Sequence, residues 1–262
     1  MRLTRWRVGT PWISLVTATQ VLQLQPERLS QLSSFICAPG HSDALLRLIQ
    51  YALRLIAATQ MHTWCRTDLL RISAAIDSAR TCNRAFGCIE ALSTLSALLS
   101  RQSDAPTRHS LRVMQEVAMV VYHPVEHHYW LCNHASSGRI LGPPSLASSQ
   151  FISALWLLWT GCGGALAFLE FRKTRRTLNT LRKSGAQGAV AEAEIAFATA
   201  KCQLTKLSLD AVLALHWTFE HPTWRLSDFQ LGAIGTASTL FALHAYWMRH
   251  EHESLRLKSK QQ

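Results

Sequence analysis

Residues 151–169 read FISALWLLWTGCGGALAFL, and this stretch decides the fold because it contains no charged side chain. The uncharged run is longer still, since no Asp, Glu, Lys or Arg lies between Arg139 and Glu170. An α-helix rises about 1.5 Å per residue, so about 20 residues cross a hydrocarbon core of about 30 Å. Residues 151–171 therefore have the length and composition of a transmembrane helix.

A basic cluster follows this stretch at once. Its members are Arg172, Lys173, Arg175, Arg176, Arg182 and Lys183. A long apolar run that ends in basic residues is typical of a membrane span that ends at lipid headgroups. The alternative is a buried helix of a large soluble core, which seldom needs so long an uncharged run followed by such a charge block.

A second uncharged stretch, Phe229–Met248, predicts a second span. Both stretches carry small side chains, which let a neighbouring helix approach closely. We expect span packing through Gly161, Gly164 and Ala165 in the first stretch and through Gly232, Gly235 and Thr236 in the second.

Composition agrees with one or two spans and large polar parts, because the mean hydropathy is only +0.05. The net charge of +11 indicates an anionic partner, either nucleic acid or a membrane surface. No segment shows the strand periodicity on which interleaved aromatic and basic residues bind nucleic acid. We therefore expect anionic lipid headgroups as the partner and no binding of nucleic acid.

Seven cysteines without a CxxC pair indicate reduced thiols in a cytosol-like compartment.

The region 41–135 predicts amphipathic helices. One narrow helical face, with spacings of seven, four, three and four, holds Arg66, Ser73, Asp77, Arg80 and Arg84. The opposite arc is apolar and includes Ile72, Ile76 and Phe86. A cationic amphipathic helix is either a bundle helix with a solvated edge or an interfacial membrane helix. Periodicity alone favours the bundle helix.

His123, Glu126 and His127 form the pattern H-x-x-E-H, which can mark a zinc peptidase. That chemistry needs both histidines on one face of one helix. Pro124 disfavours the α-helical region for the residue before it, so we expect His123 outside any helix that contains His127. A structural corner is the better interpretation. Phosphate-binding loops, nucleophile elbows and paired-cysteine zinc signatures are absent from the sequence, and we expect no cofactor.

Three blocks together resemble the peroxin-11 family of peroxisomal membrane elongation proteins, most closely its gamma subtype. The blocks are HSDALLRLIQYALRLI (41–56), VYHPVEHHYW (121–130) and LALHWTFEHPTWRLSDFQLGAIGTASTLFALHAYW (213–247). The second block matches the family pattern at Tyr122, Pro124, Glu126, His127 and Trp130. Where the first block of the family has an Arg-Asp pair, this chain has Ser42-Asp43. The resemblance covers residues 35–250.

The resemblance implies an all-α, membrane-embedded and non-enzymatic protein of the peroxisomal membrane, with two transmembrane helices. Such proteins elongate the membrane before fission and form homo-oligomers or family hetero-oligomers. They work with tail-anchored fission adaptors and a dynamin-like GTPase. In this setting Arg66, Arg80 and Arg84 would face anionic headgroups, and Ile72, Ile76 and Phe86 would face the acyl boundary. The alternative is a pore or metabolite channel, for which the predicted spans offer few polar side chains.

The sequence predicts seven segments. They are an undefined extension (1–40), an amphipathic helical region (41–135), a linker (136–150), a span (151–171), a basic loop with a long helix (172–228), a span (229–248) and a polar tail (249–262). Residues 1–30 are rich in arginine and poor in acids, and fit an extension or amphipathic anchor, a mitochondrial presequence or a signal sequence. In the tail, Lys258 and Lys260 resemble a coatomer-binding K-x-K-x-x signal, which requires a cytosolic tail; the alternative is a solvated end.

Alkaline carbonate extraction tests the membrane span. We expect the intact protein to stay in the membrane pellet, because a helix of this length and hydropathy does not leave the bilayer at high pH. Deletion of residues 151–171 should release or mislocalise the protein. Complete release of the intact chain would contradict a membrane-spanning protein.

Overall fold

The computed structural model describes residues 26–38, 40–100, 105–134, 146–185, 187–219 and 225–261. This part of the chain forms eight α-helices and no strand. They are α1 (Pro26–Cys37), α2 (His41–Thr59), α3 (Thr63–Asn83), α4 (Gly87–Leu99), α5 (Pro106–His134), α6 (Leu146–Ser184), α7 (Gln187–Phe219) and α8 (Asp228–Gln261). The all-α prediction is confirmed.

The chain divides into two compact units, Met1–Ser42 and Asp43–Gln262. In the first unit, α1 is followed by a turn in which Gly40 has a φ of 80°, a conformation that favours glycine. The three interpretations of the N-terminal extension rest mainly on residues 1–25, which lie outside the described residues.

Helix α6 contains both the apolar stretch and the basic cluster in one uninterrupted helix of 39 residues. By length and composition it is the one helix in the described part of the chain that could cross a membrane. Several large apolar side chains along it are exposed, including Phe151 and Phe168. Gly185, with a φ of 71°, makes the turn after the helix.

The second predicted span, Phe229–Met248, is not confirmed. It lies in α8, where polar residues such as Gln230 and His244 lower the hydropathy, and among the described residues only α6 meets the length and hydropathy expected of a span. Helix α8 also continues beyond Met248 through the predicted polar tail to Gln261. The predicted polar tail is therefore helical as far as Gln261, and the side chains of Lys258 and Lys260 lie outside the described ones.

Two other segment predictions need correction. The predicted corner at Pro124 is wrong, because α5 runs from Pro106 to His134 with Pro124 inside it. Proline fixes φ near the helical value and removes one backbone hydrogen bond, so packing can keep it in a helix at a cost.

The predicted amphipathic helix is interrupted, because α3 ends at Asn83 and places Arg84 and Phe86 in the turn before α4. Asn and Gly are weak helix formers, and Asn83 and Gly87 flank that turn.

A buried ion-pair network joins α2, α7 and α8. The side chain of Asp210 on α7 is 0% exposed, and its carboxylate lies 2.5 Å from the guanidinium of Arg47 on α2. The ammonium of Lys206, one turn earlier on α7, lies 2.9 Å from the same carboxylate. The hydroxyl of Ser238 on α8 donates a hydrogen bond to it over 2.5 Å. Beside this network, Tyr51, Leu213 and Leu231 form an apolar core.

The glycines of α8 pack against α2 rather than against the glycines of α6. A Cβ added to Gly232 would lie 2.6 Å from the backbone nitrogen of Leu55, and one added to Gly235 would collide with the ring of Tyr51. Gly161 and Gly164 on α6 have no heavy atom within 4 Å of such a Cβ. Close approach therefore joins α2 to α8, and the positions of Gly161 and Gly164 on α6 stay open towards the described part of the chain.

Gly232→Ala and Gly161→Ala form a matched pair of variants that tests this packing. Gly232→Ala should lower the free energy of unfolding by about 1–3 kcal/mol, because the added methyl group meets backbone atoms of Leu55 that cannot rotate away. Gly161→Ala should leave it unchanged or raise it by up to about 1 kcal/mol, since alanine favours helix more than glycine. Urea unfolding of the detergent-solubilised chain measures both. Equal effects of the two substitutions would contradict the contact between α2 and α8.

Candidate functional site

The polar stripe of α3 faces the neighbouring helices. Arg80, near the end of α3, is 8% exposed. Its Nε and Nη2 each lie 3.0 Å from the carboxylate of Asp43 on α2. Its Nη1 lies 2.6 Å from the Oε1 of Gln50, and the Ser73 hydroxyl donates to the backbone carbonyl of Gln50 over 3.0 Å. The stripe thus fastens α3 to α2.

The other two arginines predicted to face lipid headgroups are also ion-paired inside the chain. Arg66 lies 3.0 Å from the carboxylate of Asp228, at the start of α8. Arg84 lies 2.8 Å from the carboxylate of Glu126 on α5. Carboxylates on α2, α5 and α8 therefore hold all three guanidinium groups, while the orientation of Arg66, Arg80 and Arg84 towards headgroups stays a prediction.

The apolar arc of the same segment points outward. Ile72 is 50% exposed and Phe86 is 77% exposed, while Ile76 is partly buried. Trp64, at the start of α3, is 70% exposed. An exposed ion pair of 3.7 Å between Asp68 and Arg71 interrupts this surface near its beginning. We name the outward surface of α3 and α4 the apolar face; its large members are Trp64, Ile72, Phe86, Ile89, Leu92 and Leu99.

The segment VYHPVEHHYW lies in α5 and binds the end of α3. The hydroxyl of Tyr122 donates to the Oε1 of Glu126 over 2.6 Å, and this oxygen also accepts from Arg84. Nε2 of His127 lies 2.9 Å from the backbone carbonyl oxygen of Thr81. The indole nitrogen of Trp130 donates to the hydroxyl of Ser78 over 2.8 Å. We name this set of contacts between α3 and α5 the α3–α5 junction.

Burial and charge set the protonation of the junction. Burial raises the pKa of Tyr122 well above its ordinary value, and Glu126 raises it further, so the phenol keeps its proton and donates it. Burial opposes the charge on Arg84, but Glu126, Tyr122 and Asp43 together outweigh it and raise the pKa of Arg84. Burial lowers the pKa of His123, so its imidazole is neutral at pH 7. The junction therefore contains one fixed ion pair and one neutral hydrogen-bond donor to it.

The H-x-x-E-H residues do not converge on a ligand. Contrary to the expectation from Pro124, His123 and His127 lie one turn apart on the same helix. The nitrogens of His127, however, lie 2.6 Å and 2.9 Å from the backbone carbonyl oxygens of His123 and Thr81. Among the described residues, no three His, Cys, Asp or Glu side chains group as metal ligands would. The contact of His127 with Thr81 joins α5 to α3, and its contact with His123 lies within α5.

His123 seats α5 against α4. A Cβ added to Gly87, the first residue of α4, would lie 2.6 Å from the imidazole of His123, so the ring contacts the backbone there. This contact needs a residue without a side chain at the start of α4. Nδ1 of His123 and Oε2 of Glu126 are buried and without a hydrogen-bond partner in the described part of the chain.

Several partners in this site are absent from the site residues predicted from the sequence. They are Asp43, Gln50, Ser78, Thr81 and Asp228. A signal for the first two is present in the sequence, because Asp43, Arg47, Gln50 and Arg54 form a polar stripe along α2 with helical spacing. A polar stripe on each of two successive helices predicts that the stripes pair. Ser78 and Thr81 have no such signal.

Comparison with known proteins gives one match. The family model of peroxisomal biogenesis factor 11 (PEX11) matches residues 29–247. This range includes all three sequence blocks and every helix from α2 to α7. No curated protein matches the chain, and no solved structure matches it.

A double-mutant cycle tests the ion pair of the α3–α5 junction. Arg84→Gln and Glu126→Gln, made singly and together, should give a coupling energy of about 1–3 kcal/mol, because both groups are mostly buried. The exposed pair Arg182–Glu194 is the matched control, with an expected coupling below about 1 kcal/mol. Urea unfolding provides the free energies. A coupling no larger than that of the control would show that the junction does not depend on this pair.

Proposed function

The chain belongs to the peroxisomal biogenesis factor 11 (PEX11) family, and from this we propose that it remodels and elongates the peroxisomal membrane before fission. Family membership gives a role in peroxisome biogenesis and an association with the peroxisomal membrane. It also places the chain among biogenesis factors and outside the enzyme families. The membrane-shaping mechanism and the gamma-like subtype are our proposals.

The observation that supports this mechanism is the orientation of α3. Its arginines pair with carboxylates on α2, α5 and α8, and this leaves the apolar face of α3 and α4 directed outward. An apolar surface of this kind is unfavourable in water and marks a contact with membrane or protein. In a membrane leaflet the same surface is buried among acyl chains.

The proposed mechanism adds area to one leaflet. Helices α3 and α4 would lie in the interface, with Phe86 in the turn between them reaching the acyl region. Added area in one leaflet favours curvature of the bilayer. The span in α6 would hold these helices at the membrane. The multi-pass topology is a proposal as well, since α8 would have to supply the second span.

Self-association would concentrate such insertions. Gly161 and Gly164 on α6 leave open space within this chain, which a second copy or a related family member could fill. Tail-anchored fission adaptors, a dynamin-like GTPase and coatomer are further proposed partners, taken from the family resemblance. The pore alternative has less support, because the polar side chains of Thr160, Ser238 and Thr239 are buried and bonded within the chain.

Charge on the apolar face should abolish elongation. Ile72→Glu combined with Phe86→Glu places a carboxylate at two exposed apolar positions, where a charged group would have to enter the acyl region at a cost in free energy. We expect cells that express this variant to lose the elongated peroxisomes that the unsubstituted protein produces, as measured by fluorescence microscopy.

Thr67→Glu with Ala74→Glu is the matched control, because it adds the same charge at two exposed positions on a different side of α3. The control variant should still elongate peroxisomes. If the variant with Glu at positions 72 and 86 elongates them equally well, the apolar face has no part in membrane shaping. If the unsubstituted protein does not change peroxisome shape, the proposed function is wrong.

A further inference from the structure

Two surface grooves flank α6 just beyond the apolar stretch. The groove on the side of α5 has a volume of about 370 Å³ and is lined by Arg108, Leu169, Arg172, Lys173, Arg176 and Thr177. The adjoining groove has a volume of about 390 Å³ and is lined by Phe168, Phe171, Arg172, Arg175, Arg176 and Asn179. The two grooves share Arg172 and Arg176, so together they form one basic surface.

The cations of α6 on this surface are not neutralised by carboxylates in the part of the chain that the structure describes. Among the described residues, none of the four has a carboxylate partner; they are Arg172, Lys173, Arg175 and Arg176. Arg108 of α5 pairs with Glu170 over 3.0 Å, and none of the described residues that line the first groove is a carboxylate. An excess of three positive charges therefore remains in that groove. Like charges on neighbouring turns of a helix repel one another, so an anion bound here would stabilise the helix.

Both grooves change from apolar to basic along the same direction. Leu169 and Phe168 lie at the end nearest the apolar stretch, and the cations follow within the next two turns. The guanidinium carbon of Arg172 lies 5.8 Å from the ring centroid of Phe168, within range of a cation–π contact. A ligand that fits this gradient has an apolar part in the membrane and an anionic part beyond it.

We propose that this surface, which we name the α6 basic site, binds the headgroup of a phospholipid with two or more phosphates. Its cations are Arg108, Arg172, Lys173, Arg175 and Arg176. A guanidinium group can donate two parallel hydrogen bonds to the oxygens of one phosphate. The guanidinium groups of Arg172 and Arg176 line both grooves. A single phosphodiester carries one negative charge. An added phosphomonoester carries about −1.5 to −2, which brings the total to about −2.5 to −3, close to the excess of three charges in the first groove. The inference rests on the proposed membrane location of α6.

Lipid binding to the full chain in nanodiscs tests the proposal. The protein is reconstituted in phosphatidylcholine nanodiscs, and binding of fluorescent phosphatidylinositol 4-phosphate is titrated. The test variant is Arg172→Gln, Lys173→Gln and Arg176→Gln together. The control variant is Lys183→Gln, Lys201→Gln and Arg225→Gln, which removes three exposed cations outside the grooves. The test variant should bind at least roughly tenfold more weakly, and the control less than about twofold, because each charge-assisted hydrogen bond corresponds to about that tenfold factor.

Two further titrations identify the source of the phosphate. Phosphatidylserine at the same total lipid charge should bind more weakly than phosphatidylinositol 4-phosphate, and soluble inositol 1,4-bisphosphate should not displace the lipid at comparable concentration. Equal binding of both lipids, or equal losses in both variants, would reduce the site to diffuse surface charge and overturn the proposal. Displacement by the soluble bisphosphate would also overturn it, in favour of a soluble phosphate ester.

Lipid binding in nanodiscs is measured independently of any effect of the protein on peroxisome shape. Nanodisc binding requires only that the chain enters the bilayer, and copurification of each variant with the disc measures this directly. A chain that enters the disc without preferring the polyanionic lipid refutes the α6 basic site alone. A chain that binds the lipid but never elongates peroxisomes refutes the proposed function alone.

Discussion

The fully buried carboxylate of Asp210 is the constraint on which the helical arrangement depends. A buried charge needs a partner, and breaking a buried ion pair on one side costs about 3–5 kcal/mol. Arg47, Lys206 and Ser238 supply the partners, so the register of α2 and α8 along α7 is fixed at one level. The contact of Gly232 with the backbone of Leu55 then allows α2 and α8 to approach closely enough for that register.

From α2 the same kind of contact extends outward through the chain. Asp43 on α2 holds Arg80 and Arg84, and Glu126 on α5 holds Arg84 from the other side. Polar side chains therefore join the helices, while large apolar side chains lie outside. This arrangement is suited to lipid surroundings, where burial of apolar surface between helices gives no gain and polar contacts with close packing hold helices together.

The sequence predicted the helical class and the apolar part of α6, because these follow from composition and from the run of uncharged residues. It did not predict which side of α3 faces inward. A periodic pattern defines two faces, but the partner that lies opposite decides between them, and here the partners are Asp43, Glu126 and Asp228. The predicted corner at Pro124 was wrong for a related reason. The local preference against a helix is real, but contacts of His127 and Trp130 with α3 hold α5 intact through it.

The length of α6 has a mechanical consequence. Its 39 residues extend over about 58 Å, whereas the hydrocarbon core is about 30 Å thick. In the proposed membrane location, about half of α6 would project past the bilayer as a rigid lever, with α7 packed alongside it. A tilt of about 20° would swing the far end by about 10 Å. A change in bilayer thickness that alters the tilt would then produce a larger sideways displacement at the turn formed by Gly185.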